Sequence, residues 1–458
     1  MNTAQKHFFI YDKIEIDPYK TKIYAEGWQS WSVAETLNIG EIPYRATDPD
    51  SRIIDCQNSV IAGEGIFQGS GLLGIQIQDS GPIYLYHLNN LTDNIPIIRA
   101  KKDGNYLIIS TDGSITHQYF DSNEEPESAL KLFAENFIHN VLPEKSTFFK
   151  KEITIPAIWC TWYGYYDKVI PQNIYDNMTI IENNNLSIDI IQIDDGYQLH
   201  AGDWLYPSAN FTNNALEKLA KDITASGKIP GIWLAPTIVS KKSLLASKKD
   251  LLVKSRVTGE PISAGNVLRS ETGVLDLTNP LAQKYIQSVF YQLSEWGFKY
   301  FKLDFLYGGA LNGKRYTSLS DTEAYRFGLE TIKSSLPSDA ILLACGAPLF
   351  PSLGLVDAMR IGPDIGYNFL PANDHPSLPA QKNALRNIAS RHYCHKTLFI
   401  NDPDCLIVSP NMEQRENWAN ALCSSDYLRS LSGNLADLDD WGLSTIKSLM
   451  HPVTFNHN

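Results

Sequence analysis

Eight short apolar segments, most of them followed by an amphipathic stretch, recur through residues 157–431 and constrain the fold more than any other feature. They are AIWCTW, IDIIQID, IPGIWLA, KYFKLD, AILLAC, DAMRIG, TLFIND and YLRSL. Continuous apolar runs predict strands buried on both faces, and stretches such as ALEKLAKDITAS and TEAYRFGLETIKSSL predict helices between them. Eight such units over about 300 residues, without a GxGxxG or GxxxxGK[ST] phosphate loop, favour a closed barrel over an open doubly wound sheet. We therefore predict an α/β protein whose main domain is a (β/α)8 TIM barrel.

The first part of the chain has a different pattern. Its segments are short, alternating or β-branched and are separated by Gly, Asp and Asn, as in TKIYAEGWQSWSV, GLLGIQIQD, GPIYLYHL and NYLIISTD. The stretch ESALKLFAENFIHNVL has helical spacing, and the polar connector LPEKSTFFKKE follows it. The sequence thus predicts an antiparallel β domain over residues 1–150 and the barrel over residues 151–458, with the boundary near 145–153.

Composition excludes several classes of partner. The formal net charge of −12, without clustered Lys or Arg, argues against nucleic-acid binding. No apolar run approaches the length of a membrane span, and the N-terminus lacks the pattern of a signal peptide, so we expect a cytoplasmic protein that does not bind membranes. Six cysteines are dispersed without a CxxC pair, which favours reduced thiols over a disulfide framework.

Carboxylates follow several of the predicted strands. Asp304 ends KYFKLD, and Asp364 follows DAMRIG after a Gly-Pro turn. One such Asp is usually a helix cap or turn residue, but chemistry in parallel barrels is assembled at the C-terminal ends of strands. Two carboxylates brought there from different strands are the minimum apparatus for cleaving a glycosidic bond. A metal site using Asp304, Asp364 and Asp402 is a weaker alternative, because no histidine lies at these strand ends.

Other polar and aromatic residues lie at the same strand ends. They are Asp194, Asp195, Lys302, Cys345, Gly346, Arg360, Trp162, Tyr163 and Trp233. Lys302 and Asp304 are two residues apart and so face the same side of their strand, where the ammonium would favour the ionised form of Asp304. The aromatic rings could stack on the C–H face of a pyranose.

Trp28 and Trp31 lie in the β domain, where tryptophans are most often core residues. The cluster RHYCHK superficially resembles a zinc site, but we place it in the helix before strand 7.

These motifs resemble a known family, the bacterial α-galactosidases of glycoside hydrolase family 36, in the clan that also holds family 27. The matching segments are WCTWYGYY, IDDGYQ with GDW, GIWLAP, YFKLDFLYGGA, CGAPLFPSLGLVDAMRIGPD and NDPDCL, with GWQSW in the N-terminal domain. The resemblance covers residues 155–440 in the correct order. It implies a melibiase-like, retaining exo-α-galactosidase with an N-terminal β-supersandwich domain and no metal or organic cofactor.

The resemblance also implies roles for individual residues. Asp304 corresponds to the nucleophile and Asp364 to the general acid/base. A retaining mechanism then predicts a raised pKa for Asp364 and a separation of about 5–6 Å or slightly more between the two carboxyl groups. Asp194 and Asp195 match a pair that binds the O4 and O6 hydroxyls of galactose. Lys302 and Arg360 match hydroxyl donors, Trp233 matches a stacking residue, and Tyr163 matches a pocket wall. Trp31 matches a residue that reaches the site from the N-terminal domain.

The chain departs from the family pattern in two respects, and rival functions stay open. The C-terminal β domain common in the family is not expected here, and the N-terminal domain is shorter, which leaves a homo-oligomeric state undecided. α-N-Acetylgalactosaminidase activity depends on the space near O2, shaped by Cys345, Gly346 and Arg360. A raffinose-synthase-type galactosyltransferase would use an acceptor sugar instead of water. A catalytically silent sugar-binding barrel is the alternative outside the enzymes.

Overall fold

The chain forms an eight-stranded parallel barrel preceded by two antiparallel sheets, and its computed structural model describes residues 7–56, 62–121, 124–143 and 153–455. The boundary expected near 145–153 and the connector before it lie almost entirely outside these residues, as does the side chain of Cys56. The other five cysteines are free thiols. Over the described part of the chain, no helix combines the length and apolarity needed to cross a bilayer.

The barrel confirms the eight strands that the sequence predicts. Barrel strands 1 to 8 are Ala157–Cys160, Ile190–Ile193, Ile229–Leu234, Tyr300–Leu303, Ile341–Ala344, Ala358–Arg360, Ile400–Asp402 and Arg429–Ser432. Strand 8 pairs in parallel with strand 1, and the backbone N–H of Leu428 donates to the carbonyl of Asn401, which brings strands 7 and 8 together. Side chains alternate along each strand. In strand 4, Tyr300 packs in the inner cluster, whereas Phe301 and Leu303 join the outer core, so Lys302 and Asp304 share the inner face.

Helices surround the barrel, with one exception. The α-helices that follow strands 1–4 and 6–8 are Trp162–Tyr165 and Pro171–Asn183, Ala215–Ala225, Pro280–Trp296, Asp321–Lys333, Gln381–Ser390, Arg415–Cys423 and Asp440–Leu449. Local sequence sets their ends; for example, Ser320 and Glu323 form a capping box at the start of Asp321–Lys333. Between strands 5 and 6, residues 345–357 contain only the 3₁₀ turn Phe350–Ser352. The ring of Phe137, in the preceding helix Pro126–Val141, lies 5.6 Å from that of Phe350, so this helix covers the barrel there.

The N-terminal region forms the predicted β-sandwich. One sheet contains, in spatial order, Phe9–Glu15, Tyr106–Thr111, Ile97–Asp103 and Ile66–Ser70. The other contains Glu35–Asn38, Lys22–Ala25, Leu72–Gln76, Ile83–Leu88 and Ile115–Phe120. The helix Pro49–Cys56 projects from this region towards the barrel. A three-stranded sheet follows barrel strand 3, with Ile238–Ser240, Ser270–Val274 and Ser263–Val267 in spatial order, and Ile153–Ile155 pairs with Val453–Phe455.

A buried ion pair fixes the N-terminal domain against the barrel. Arg391, which follows helix Gln381–Ser390, pairs with Glu26 at 2.7 Å, and both side chains are fully buried. The same guanidinium donates to the backbone carbonyls of Gln29, Ser30 and Ser32. Buried charges are stable only when they are paired and hydrogen-bonded, so this arrangement holds the GWQSW segment in one position against the barrel.

Candidate active site

A cavity of about 360 Å³ opens at the C-terminal ends of the barrel strands, where the sequence predicts the site. Eight predicted residues line it: Trp31, Trp162, Asp194, Asp195, Trp233, Lys302, Asp304 and Asp364. Four others do not line it, namely Tyr163, Cys345, Gly346 and Arg360. Residues from three regions meet here: the barrel, the N-terminal domain and the sheet that follows strand 3.

Asp304 is held by two neutral N–H donors. The indole Nε1–H of Trp233 donates to its Oδ2 at 2.8 Å, and the backbone N–H of Phe305 donates to its Oδ1 at 2.9 Å. Phe305 has a left-handed backbone (φ 51°), which turns the chain directly after the strand. The family resemblance implies a stacking role for Trp233, and its contact with Asp304 indicates a positioning role as well.

Asp364 lies in the loop after strand 6 and is half-buried. Its Oδ1 accepts a hydrogen bond from Arg360 Nη1 at 2.9 Å. Burial raises the pKa of Asp364, the charges of Arg360 and Lys302 oppose this rise, and the negative charge of Asp304 adds to it. Burial is the largest of these effects, so the net shift of the pKa is upward, the direction that a proton donor needs.

Arg360 organises three carboxylates from beneath the cavity. Besides Asp364, it contacts Asp402 through Nε and Asp404 through Nη2, each at 2.9 Å. The hydroxyl of Tyr163 donates to Asp404 at 2.5 Å, so this tyrosine supports the carboxylate network and does not form a pocket wall. The guanidinium of Arg360 thus lies between Asp364 and Asp402, where a metal ion would have to bind if these carboxylates were its ligands. Among the described residues, no group of three or more His, Cys, Asp or Glu side chains could hold a metal ion.

The partner of Lys302 differs from the expected one. Its Nζ contacts Asp194 Oδ2 at 3.1 Å, and both side chains are buried. Burial by itself lowers the pKa of Lys302, but the negative charges of Asp194 and Asp304 outweigh it and raise the pKa well above its ordinary value. Asp194 also accepts from Gln192 Nε2 at 2.7 Å. Alternation along strand 4 correctly places Lys302 on the inner face of the barrel. Its direct ion pair, however, is with Asp194, which follows strand 2, and not with Asp304.

Asp195 has a partner that no sequence motif predicts. Arg269 Nη2 lies 2.9 Å from Asp195 Oδ2, and Gln198 Nε2 donates to Oδ1 at 2.5 Å. Arg269 occupies the tip of the hairpin between Ser263–Val267 and Ser270–Val274, where it and Leu268 have positive φ angles of 62° and 51°. Burial raises the pKa of Asp195, and the positive charge of Arg269 opposes this. No residue spacing relates this hairpin to the barrel strands, so the sequence gives no signal for the contact.

Trp31 reaches the cavity from the N-terminal domain. Its ring lies 4.9 Å from that of Phe305, edge to face. A Cβ added to Gly346, whose φ is 54°, would lie 2.9 Å from the Trp31 ring, so glycine is needed there for the close approach. Trp28 is buried, and its ring lies 6.2 Å from that of Tyr307.

The remaining predicted residues lie near the site or apart from it. Trp162 lines the cavity from the start of the helix that follows strand 1. Cys345 is fully buried, and burial raises the pKa of its thiol. His392 and Cys394 belong to a short 3₁₀ turn after helix Gln381–Ser390, not to the helix itself. His392 accepts or donates a hydrogen bond at the hydroxyl of Tyr427, depending on its tautomer.

Solved structures of α-galactosidases share this fold. The α-galactosidase from Thermus thermophilus in complex with stachyose is 23% identical, with a TM-score of 0.79 over 97% of this chain and 93% of that chain. In complex with p-nitrophenyl α-D-galactopyranoside, the Thermus thermophilus enzyme gives 24% identity and a TM-score of 0.78 over 97% and 89%. A family 36 α-galactosidase variant from Geobacillus stearothermophilus, in complex with 1-deoxygalactonojirimycin, gives 13% and 0.61 over 96% and 61%. No protein-family model matches the sequence. At these identities the likeness establishes the fold.

Proposed function

We propose that this protein is a retaining exo-α-galactosidase that hydrolyses terminal α-linked galactose from oligosaccharides. The observation that carries the proposal is the unequal setting of two carboxyl groups in one cavity. Asp304 is oriented by two neutral donors, whereas Asp364 has a raised pKa and lies on a loop. An attacking carboxylate and a proton donor are the two roles that glycoside hydrolysis requires. Support also comes from the shared fold with α-galactosidases whose structures hold stachyose or an aryl α-galactoside.

The proposed mechanism is double displacement. The carboxylate of Asp304 attacks the anomeric carbon while the protonated Asp364 gives its proton to the departing glycosidic oxygen. A β-linked galactosyl ester on Asp304 results. Asp364, now a carboxylate, takes a proton from water, and that water opens the ester and releases α-galactose. No metal or organic cofactor has a part in these steps.

The other cavity residues would bind and orient the sugar. Asp194 and Asp195 present carboxylate oxygens to galactose hydroxyls, and Lys302 holds Asp194 through their ion pair. Trp31, Trp162 and Trp233 supply ring surface for the C–H face of the pyranose. Arg360 acts through Asp364 from beneath and would not touch the sugar.

The first test is a substrate survey with p-nitrophenyl α-galactoside, α-N-acetylgalactosaminide and α-glucoside. We expect the galactoside to be preferred, and NMR of the first product to show the α anomer. Preference for the N-acetylated sugar would instead favour the aminidase, and a β product would contradict retention. Transfer to an added acceptor sugar in preference to water would favour the galactosyltransferase. The absence of nitrophenol release from every substrate would favour the silent sugar-binding barrel.

The roles of the two carboxyl groups need a separate test. Asp304→Asn should abolish turnover while galactose binding persists, and azide should restore turnover of Asp304→Gly as galactosyl azide. The exposed carboxylate Asp339, paired with Lys299 on the surface, provides a matched control in Asp339→Asn. Near-normal kcat in Asp304→Asn would show that the nucleophile is misassigned.

A further inference from the structure

A carboxyl group from the N-terminal domain lines the same cavity and has no part in the mechanism above. Asp55 lies near the end of helix Pro49–Cys56, and its side chain contributes to the cavity wall beside Ser51 and Ile54. Only 7% of the residue is exposed. Burial of a carboxyl group without a strong partner is unfavourable, which makes a buried carboxyl group that faces a cavity a candidate for ligand binding or catalysis.

The groups around Asp55 satisfy it only weakly. The hydroxyl of Tyr44 donates to its Oδ2 at a long distance of 3.4 Å, and the hydroxyl of Ser377 also bonds to the carboxyl. The pKa of Asp55 is raised to about 7, mainly by burial; the hydrogen bonds from Ser377 and Tyr44 and the positive charge of Arg386 oppose this rise, and the negative charge of Asp48 adds to it. Such a carboxyl group can both accept and donate hydrogen bonds near neutral pH, which suits the hydroxyl groups of a sugar.

The position of Ser377 relates Asp55 to one side of the reaction. Ser377, Leu378 and Pro379 line the cavity in succession, and the backbone N–H of Ala380 donates to the carbonyl of Asp364 at 3.2 Å. This segment is therefore attached to the loop that carries Asp364. In the proposed function Asp364 gives its proton to the departing oxygen, so the leaving group must lie on this side of the cavity.

We propose that Asp55 and Ser377 form the subsite for the leaving group and that they select a hydroxylated sugar there. Leu378 and Pro379 supply apolar surface beside them, the combination of apolar wall and few polar groups that is typical of small-molecule sites. This inference rests on the proposed function and assigns the selection of the leaving group to two residues outside the catalytic pair.

The test compares two substrates that differ only in the leaving group. Melibiose releases glucose, whereas p-nitrophenyl α-galactoside releases a phenol without sugar hydroxyls. In Asp55→Ala the ratio of kcat/KM for melibiose over that for the aryl galactoside should fall by about tenfold or more, as expected when a hydrogen bond to a carboxyl group is lost. Ser377→Ala should lower the same ratio by a smaller factor of about two to ten.

The control is Asp339→Asn, which removes an exposed carboxylate that lies outside the cavity wall. Asp339 pairs with Lys299 on the surface and has no part in the hydrogen bonds of Asp55 or Ser377. Its ratio should equal that of the parent. An unchanged ratio in both Asp55→Ala and Ser377→Ala, with the parent active, would overturn the subsite alone. A parent that cleaves neither substrate would instead overturn the proposed function and this inference with it.

Discussion

Replacing Trp233 by phenylalanine isolates the hydrogen bond that orients Asp304. The substitution keeps an aromatic ring in the cavity wall and removes the indole Nε1–H, which lies 2.8 Å from Asp304 Oδ2. The backbone N–H of Phe305 still holds the other oxygen. The carboxylate should therefore remain in place but rotate more freely about the bond to its Cβ.

The size of the effect follows from the chemistry of that bond. The donor is buried and the acceptor is ionised during attack, and hydrogen bonds to charged groups contribute about 1.5–3 kcal/mol. If the bond acts mainly in the transition state, where the carboxylate must point at the anomeric carbon, kcat falls by about 10- to 150-fold. Loss of stacking alone would raise KM and leave kcat nearly unchanged.

The assay is steady-state hydrolysis of p-nitrophenyl α-galactoside, with thermal unfolding to monitor the fold. Trp204→Phe is the matched control, since Trp204 is equally buried, lies 5.9 Å from the Trp233 ring and does not line the cavity. Trp204→Phe makes the same change of ring, but the indole N–H of Trp204 makes no hydrogen bond to Asp304. If kcat of Trp233→Phe stays within about threefold of the control, the hydrogen bond does not orient the nucleophile and the reasoning fails.

Three further substitutions test other parts of the site. Gly346→Ala places a Cβ at 2.9 Å from Trp31 at a position with φ 54°, so kcat/KM should fall about tenfold with a shift in tryptophan fluorescence; unchanged values would contradict the contact. Lys302→Met leaves the carboxylate of Asp194 buried without its cation and should lower the free energy of unfolding by about 3–5 kcal/mol in urea. A loss below about 1 kcal/mol would show that the pair is unimportant for stability. The pKa of Asp55 is raised from 3.8 to about 7, so the parent loses stability as pH rises through this range, by up to about 4 kcal/mol. Asp55→Asn lacks this loss, and its Tm relative to the parent should increase between pH 5 and pH 8; a constant difference would contradict the shift.

The barrel is predictable from sequence because its strands are buried on both faces. Such strands need apolar residues at nearly every position, and the polar residue that ends each run marks the edge of the sheet. No α-helix follows strand 5, and the local sequence does not explain why. There the preceding helix Pro126–Val141 supplies the cover through Phe137 and Phe350, a contact between segments far apart in the chain.

Site residues on the barrel strands are predictable from sequence in the same way, whereas their partners and the residues from other segments are not. Alternation along strand 4 places Lys302 beside Asp304 on the inner face, but it does not identify the partner, which depends on the neighbouring strands. Arg269 and Asp55 come from a hairpin and a helix outside the repeating units, where no periodicity relates their positions to the cavity. Residues added to a barrel by its loops and by a second domain are found only when the fold is known.

The distribution of cations among the cavity carboxylates gives a physical reason for the role of Asp304. Among the described residues, ion pairs involve Asp194 with Lys302, Asp195 with Arg269, and Asp364 with Arg360. The hydrogen bonds to Asp304 come instead from neutral N–H groups. Neutral donors fix the direction of a carboxylate without cancelling its charge, whereas a paired cation would offset part of that charge and make the oxygen a weaker nucleophile. The cavity thus keeps the negative charge of Asp304 available to a positively charged anomeric centre, while it uses the other carboxylates to hold hydroxyls and a proton.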